Sequence, residues 1–199
     1  MDENRERYHE AKATWLEEVA VYLERLKKYD PEIATLKPKQ CIMRINNNNV
    51  FHPNKPTYKD SFGFDPYKGK GRVSFYLHLS PSGSFIAGGL YHPSSDQLKK
   101  MRAAIDYDGQ ELLDIVNDKK FKAFFGGFSE TEDALKTSPQ GYDQDHEHIE
   151  LLRLKNYVVM HEVTQQEVIA NNFVDTLEQA YQIMAPFNAY LRRGVEFEE

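Results

Sequence analysis

Between residues 2 and 28 the chain has neither proline nor glycine, and Tyr8, Ala11, Trp15, Val19, Tyr22 and Leu26 recur at three- and four-residue steps. That spacing predicts an amphipathic helix, with Glu6, Lys12, Glu17, Glu24 and Lys28 on its solvated face. Asp30-Pro31 follows as an N-cap with proline at the first helical position, opening a short turn through Ile33 and Leu36. The run CIMRIN reads as a strand, ended by Asn46 to Asn49, whose side chains favour turns over ladders.

Strict alternation comes next. In RVSFYLHLS, Val73, Phe75, Leu77 and Leu79 fall on one face and Ser74, Tyr76, His78 and Ser80 on the other. Pro81, Ser82 and Gly83 make a turn and FIAGGLY returns, so the two runs predict an antiparallel hairpin. Gly88 and Gly89 in the return strand imply a bulge or the close approach of another backbone. Ser94 and Gln97 form a capping box ahead of Leu98, Met101 and Ile105, a helix expected to stop near Gly109. A second helical stretch holds Leu112, Leu113 and Val116, and two glycines break the aromatic run FKAFFGGF. NYVVMHEV reads as a further strand. A second capping box, Thr164 and Glu167, leads into a helical pattern through Phe173, Leu177, Tyr181, Met184, Phe187 and Leu191 that ends at Gly194, with Pro186 expected to kink or divide it.

Helices at both ends of a set of hairpin-joined strands, without a repeating strand-helix-strand pattern, predict an α+β fold: an antiparallel sheet with flanking helices. No linker divides residues 1–199, so one domain is expected. Composition narrows the class: 40% hydrophobic and 28% charged residues are a globular balance, which excludes wholesale disorder. The net charge of −6 argues against duplex nucleic acid as a partner. No apolar run is long enough to cross a membrane. The single cysteine, Cys41, can form no intramolecular disulfide and reads as a buried apolar residue of a cytoplasmic protein. The expected address is the cytoplasm, and oligomeric state is open.

Four motifs in order, MDENRERYHEAK, MRINNNNVFHPNKPTYK, FYLHLSPSGSFIAGGLYHP and SPQGYDQDHEHIELLRLK, together resemble a widespread set of microbial proteins catalogued as domain of unknown function 2461. The resemblance spans nearly the whole chain and brings no reaction with it. Arg44, Phe51, Lys55, Tyr58 and Lys59 match the family pattern, as do Pro139, Gly141, Tyr142, His146 and Lys155. Asn47, Asn48 and Val50 stand where Arg, Asp and Arg are usual, and Pro56-Thr57 reverses the usual order. The resemblance also implies that a short segment precedes residue 1 in other members.

Candidate chemistry is sparse. DQDHEHIE concentrates metal-ligand residue types, but on a helix His146 and His148 diverge by about 200°. A charged helix start is the favoured reading over a metal site, and no metal or cofactor is expected. PYKGKGR, residues 66–72, is a basic glycine-bearing loop without the Walker arrangement. The remaining set is Arg44, Lys55, Tyr58, Lys59, Arg102, Tyr142, His146 and Lys155. Cations beside phenol hydroxyls and a titratable histidine suit a small anionic ligand, phosphate or carboxylate, with or without catalysis. Internal salt bridges are the plainer use of the same residues. A noncatalytic protein-interaction module using exposed aromatic surface is the alternative function.

Overall fold

The computed structural model describes residues 5–47, 54, 56–68, 72–129 and 131–198. Helix α1 spans Arg5–Leu26, α2 Pro38–Cys41, α3 Ser95–Asn117, α4 Lys119–Phe125, α5 Ile149–Leu152, α6 Gln165–Val168 and α7 Phe173–Val195. The strands are β1 (Phe62–Phe64), β2 (Val73–Leu79), β3 (Ser84–Leu90), β4 (Phe128–Ser129) and β5 (Tyr157–Val163), in one antiparallel sheet ordered β1-β2-β3-β5-β4. The fold is α+β with flanking helices.

The chain divides into two compact units: residues 1–66, 76–86 and 162–182, and residues 67–75, 87–161 and 183–199. In the first, the helical stripe of α1 meets aromatic neighbours. Trp15 lies 5.5 Å from Phe62, and Tyr22 lies edge-on to Phe64 and to Phe173 at the start of α7. Burial on this scale is what holds a helix whose intrinsic propensity alone would leave it marginal. The end of α1 is fastened by Glu178, whose carboxylate accepts from Arg25, Lys28 and Tyr29. In the second unit, Phe187 packs between Phe121 and Phe128, and the buried Tyr157 hydroxyl donates to Leu151 O.

Strand β2 keeps its alternation: Val73, Phe75 and Leu77 are buried, Tyr76 and His78 are half-buried on the other face, and Leu79 at the strand end is only half-buried. Gly89 has φ +115°, and a side chain there would strike the Tyr157 carbonyl, which is the close backbone approach expected of the glycine pair.

Several boundaries differ from the sequence expectation. CIMRIN is not a strand. Cys41 ends α2, started by Pro38 with Lys37 N–H donating to Gln40 Oε1, and beyond it only Ile42 and Asn46 form isolated bridges. The helix expected to stop near Gly109 does break there, at Asp108 (φ −151°, ψ 65°), and the second helical stretch runs on to Asn117, so α3 is two helices meeting at a kink. There the Asp108 carboxylate accepts from Glu111 N–H and caps the restart, while the Tyr190 hydroxyl donates to the Asp108 carbonyl. The Thr164–Glu167 box caps only the four-residue α6, and α7 begins separately at Phe173. Pro186 does not divide α7, because buried Met184 and Phe187 anchor the helix on both sides of the missing hydrogen bond. Gly194 does not end it either; its bare Cα makes room for Met101 of α3.

Among the described residues no helix is long and apolar enough to cross a membrane. Cys41 is buried, its Sγ 3.7 Å from Lys37 O. Of the basic loop, residues 69–71 lie outside the described residues.

Candidate functional site

In the first unit a two-stranded ribbon carries the retained cations. At its base Met43 N–H donates to Gly63 O and Asp65 N–H to Cys41 O, around the bridge of Ile42 to Phe64. Toward its tip Asn46 pairs with Tyr58, flanked by Asn47 N–H to Thr57 O (3.0 Å) and Lys59 N–H to Ile45 O (2.8 Å). The two pairings are out of step. Met43, Arg44 and Ile45 on one strand lie opposite the longer stretch Lys59 to Gly63 on the other, so the ribbon bulges there. Arg44 and Lys59 are therefore neighbours in the fold despite their separation in sequence, with Tyr58 at the adjoining pair. Arg44 and Tyr58 are exposed and Lys59 is half-buried. Among the described residues, neither Arg44 nor Lys59 makes an ion pair. Lys55, expected beside them, lies outside the described residues, as do Asn48, Val50 and Phe51.

Against β1, the next strand adds chemistry that no sequence motif marks. Gly63 is the ladder partner of His78. The Tyr76 hydroxyl lies 3.0 Å from His78 Nδ1, and the His78 ring stacks on Phe85 of β3 at 4.8 Å and 13°. Burial holds the His78 pKa below its ordinary value, with Asp60 pulling it up and Lys59 pushing it down. Burial raises the Tyr76 pKa, and the charge of Asp65 adds to the rise. The sequence placed Tyr76 and His78 correctly on the outer face of β2. What singles them out, the bare Gly63 opposite, depends on a register that the sequence does not display.

The second unit uses its predicted residues differently. Arg102, Asp106 and Gly109 lie along one face of α3. Arg102 Nε donates to Leu152 O at 2.9 Å, His146 Nε2 lies 2.9 Å from Asp106 Oδ1, and Gly109 makes room for the His148 ring. His146 Nδ1 accepts from His148 N–H, so the neutral ring carries its proton on Nε2 and has both nitrogens engaged. Tyr142 stands perpendicular to His146 at 6.0 Å. Arg102, Tyr142 and His146 thus join in a clasp between α3 and the segment before β5. Lys155 is half-buried at the approach to β5. No helix starts within DQDHEH; α5 begins at Ile149. Among the described residues no cluster of three or more metal-ligand side chains occurs.

Two cavities open in this second unit. One, of about 450 Å³, is lined by Asp108, Glu111, Asp114, Asp118, Phe121 and Pro186 among others. The other, of about 440 Å³, is lined by His92, Thr131, Glu132, Asp133 and Asn156. Neither is lined by the predicted cations.

No curated protein and no solved structure matches the chain. A family model, described as conserved hypothetical protein (DUF2461), matches residues 1–190, nearly the whole chain. On that match, which takes in the ribbon, the β2 face and the α3 clasp alike, the chain belongs to the DUF2461 family.

Proposed function

We propose that this protein binds a small molecule through an anionic group, phosphate or carboxylate, at the bulged ribbon of its first unit. The observation that carries the reading is the bulged ribbon, whose backbone pairings set the Arg44–Ile45 segment beside the Tyr58–Lys59 segment, with neither cation paired to a carboxylate among the described residues. A guanidinium, an ammonium and a phenol hydroxyl carried on one ribbon supply charge-assisted donors for an oxyanion. Lys55 belongs to the same retained motif and is included in the proposed site. The groups of the second unit, Arg102, Tyr142, His146 and Lys155, are proposed to support the fold there: Arg102 and His146 because their polar contacts are met within that unit, Tyr142 because its ring stands against His146. Cys41, the single cysteine of the sequence and buried, supports a reducing, cytoplasmic setting.

A protein-interaction module would draw on exposed aromatic side chains such as Tyr107, Tyr91 and Tyr29. Single exposed apolar residues are ordinary on protein surfaces and favour no partner.

Thermal unfolding in the presence of inorganic phosphate or acetate tests the reading, since a ligand that binds only the folded state raises the melting temperature. A rise is expected for the original chain and not for the Arg44→Ala, Lys59→Ala variant. An equal rise in both removes these cations from the role.

A further inference from the structure

Gly63 leaves an opening over the sheet that its neighbours fill. A methyl built on it would stand 2.9 Å from the Tyr76 hydroxyl oxygen and 2.7 Å from Met43 Cγ. The absent side chain therefore sets the place of the hydroxyl, 3.0 Å from Nδ1 of His78, the residue paired with Gly63. Phe85 fixes the plane of the imidazole from the β3 side. A phenol O–H is far more acidic than a neutral imidazole N–H, so the hydroxyl donates and Nδ1 accepts. Neutral His78 then carries its own proton on Nε2. Around this pair, Tyr76 lies on the same strand, Lys59 and Asp60 in the bulge act on the His78 charge, and Asp65 just after β1 acts on Tyr76. Phe85 of β3 adds no charge.

We propose that His78, oriented by Tyr76, is the proton-bearing residue of the site at the Lys59 bulge, and that an oxyanion binds there together with one proton taken up by His78. The inference rests on the anion-binding reading above. In the free protein, burial opposes an imidazolium at this position; Asp60 offsets it in part and Lys59 adds to it, with the balance toward the neutral ring. A bound carboxylate or phosphate replaces the lost hydration with opposite charge and accepts a hydrogen bond from Nε2. The incoming proton sits on Nδ1, and the Tyr76 hydroxyl turns from donor to acceptor, which leaves no polar atom of the pair stranded. The protein would thus select ligands bearing an exposed oxyanion, and bind them more tightly as pH falls. Above the pKa of free His78 the affinity drops by about tenfold per pH unit.

Calorimetric titration with sodium acetate and with inorganic phosphate, each in two buffers of different ionisation enthalpy, counts the protons taken up per anion bound. Acetate is fully ionised near neutrality and reports on the protein alone; the phosphate arm is corrected for phosphate's own titration. Uptake approaching about one proton is expected, lost in His78→Gln and displaced along the pH axis in Tyr76→Phe, which keeps the ring and removes only the hydroxyl. Binding that depends on Arg44 and Lys59 but takes up no proton, or takes one up unchanged in His78→Gln and Tyr76→Phe, overturns this inference and leaves the anion reading standing. Failure of both anions to bind, or binding indifferent to Arg44→Ala, Lys59→Ala, overturns both.

Discussion

His78 and Gly89 show how much of this structure turns on single positions. Because burial lowers the His78 pKa in the fold, the unfolded chain takes up a proton first as the solution is acidified. Its contribution to stability is full above the unfolded value, about 6.5, and declines as pH falls below it toward the folded value. Urea unfolding at roughly pH 7.5 and 5.5 should therefore show a shallower loss of stability for His78→Gln than for the original chain; equal losses would mean that His78 titrates alike in both states. At Gly89 the backbone is left-handed (φ +115°) and the Tyr157 carbonyl occupies the space a side chain would need. Gly89→Ala should cost on the order of 2–4 kcal/mol, and an unchanged unfolding midpoint would contradict that geometry. The glycine pair in FIAGGLY signalled such an approach in the sequence. Gly63 gave no signal, since its importance comes from a cross-strand partner.

At the scale of elements, local chemistry was the most legible. The alternation of β2, the Ser94–Gln97 box and the stripe of α1 from Trp15 to Leu26 all reflect local pattern and appear in the structure, while Ala11, expected on that stripe, is exposed. Where the sequence misled, longer-range packing had overruled local preference: α7 passes through Pro186 undivided, held by buried Met184 and Phe187. Leu77 is fully buried on the core face of β2, so Leu77→Ala should cost about 2–5 kcal/mol. A loss under about 0.5 kcal/mol in denaturant titration would place that face wrongly. The fastening of α1 to α7 makes a separate prediction. Hydrogen bonds from Lys28 and Tyr29, with the charge of Arg25, hold the Glu178 pKa below its ordinary value. That stabilisation is present above the unfolded carboxylate value, about 4.3, and is lost as pH falls through the folded one. Glu178→Gln should be less stable at neutral pH and lose less on acidification, readable in an acid unfolding curve; parallel curves would detach Glu178 from the linkage.

For the whole molecule, helices at both ends of a hairpin-bearing chain were enough to foresee an antiparallel sheet with flanking helices, and four ordered motifs were enough to foresee the family. The candidate site was legible only in its residue types. Arg44, Tyr58 and Lys59 stood out as retained polar residues, whereas their placement on one bulged ribbon follows from two out-of-step pairings that no periodicity reveals. Arg102, Tyr142 and His146 looked equivalent in sequence, yet they serve contacts within the second unit. The central claim is therefore one of place: the anion binds on the ribbon. Amide resonances followed by NMR during titration with inorganic phosphate test it most directly. Saturable shifts concentrated in residues 43–47 and 57–63, and abolished by Arg44→Ala, Lys59→Ala, are the predicted result; saturable shifts confined to other residues, or none that saturate, would contradict it.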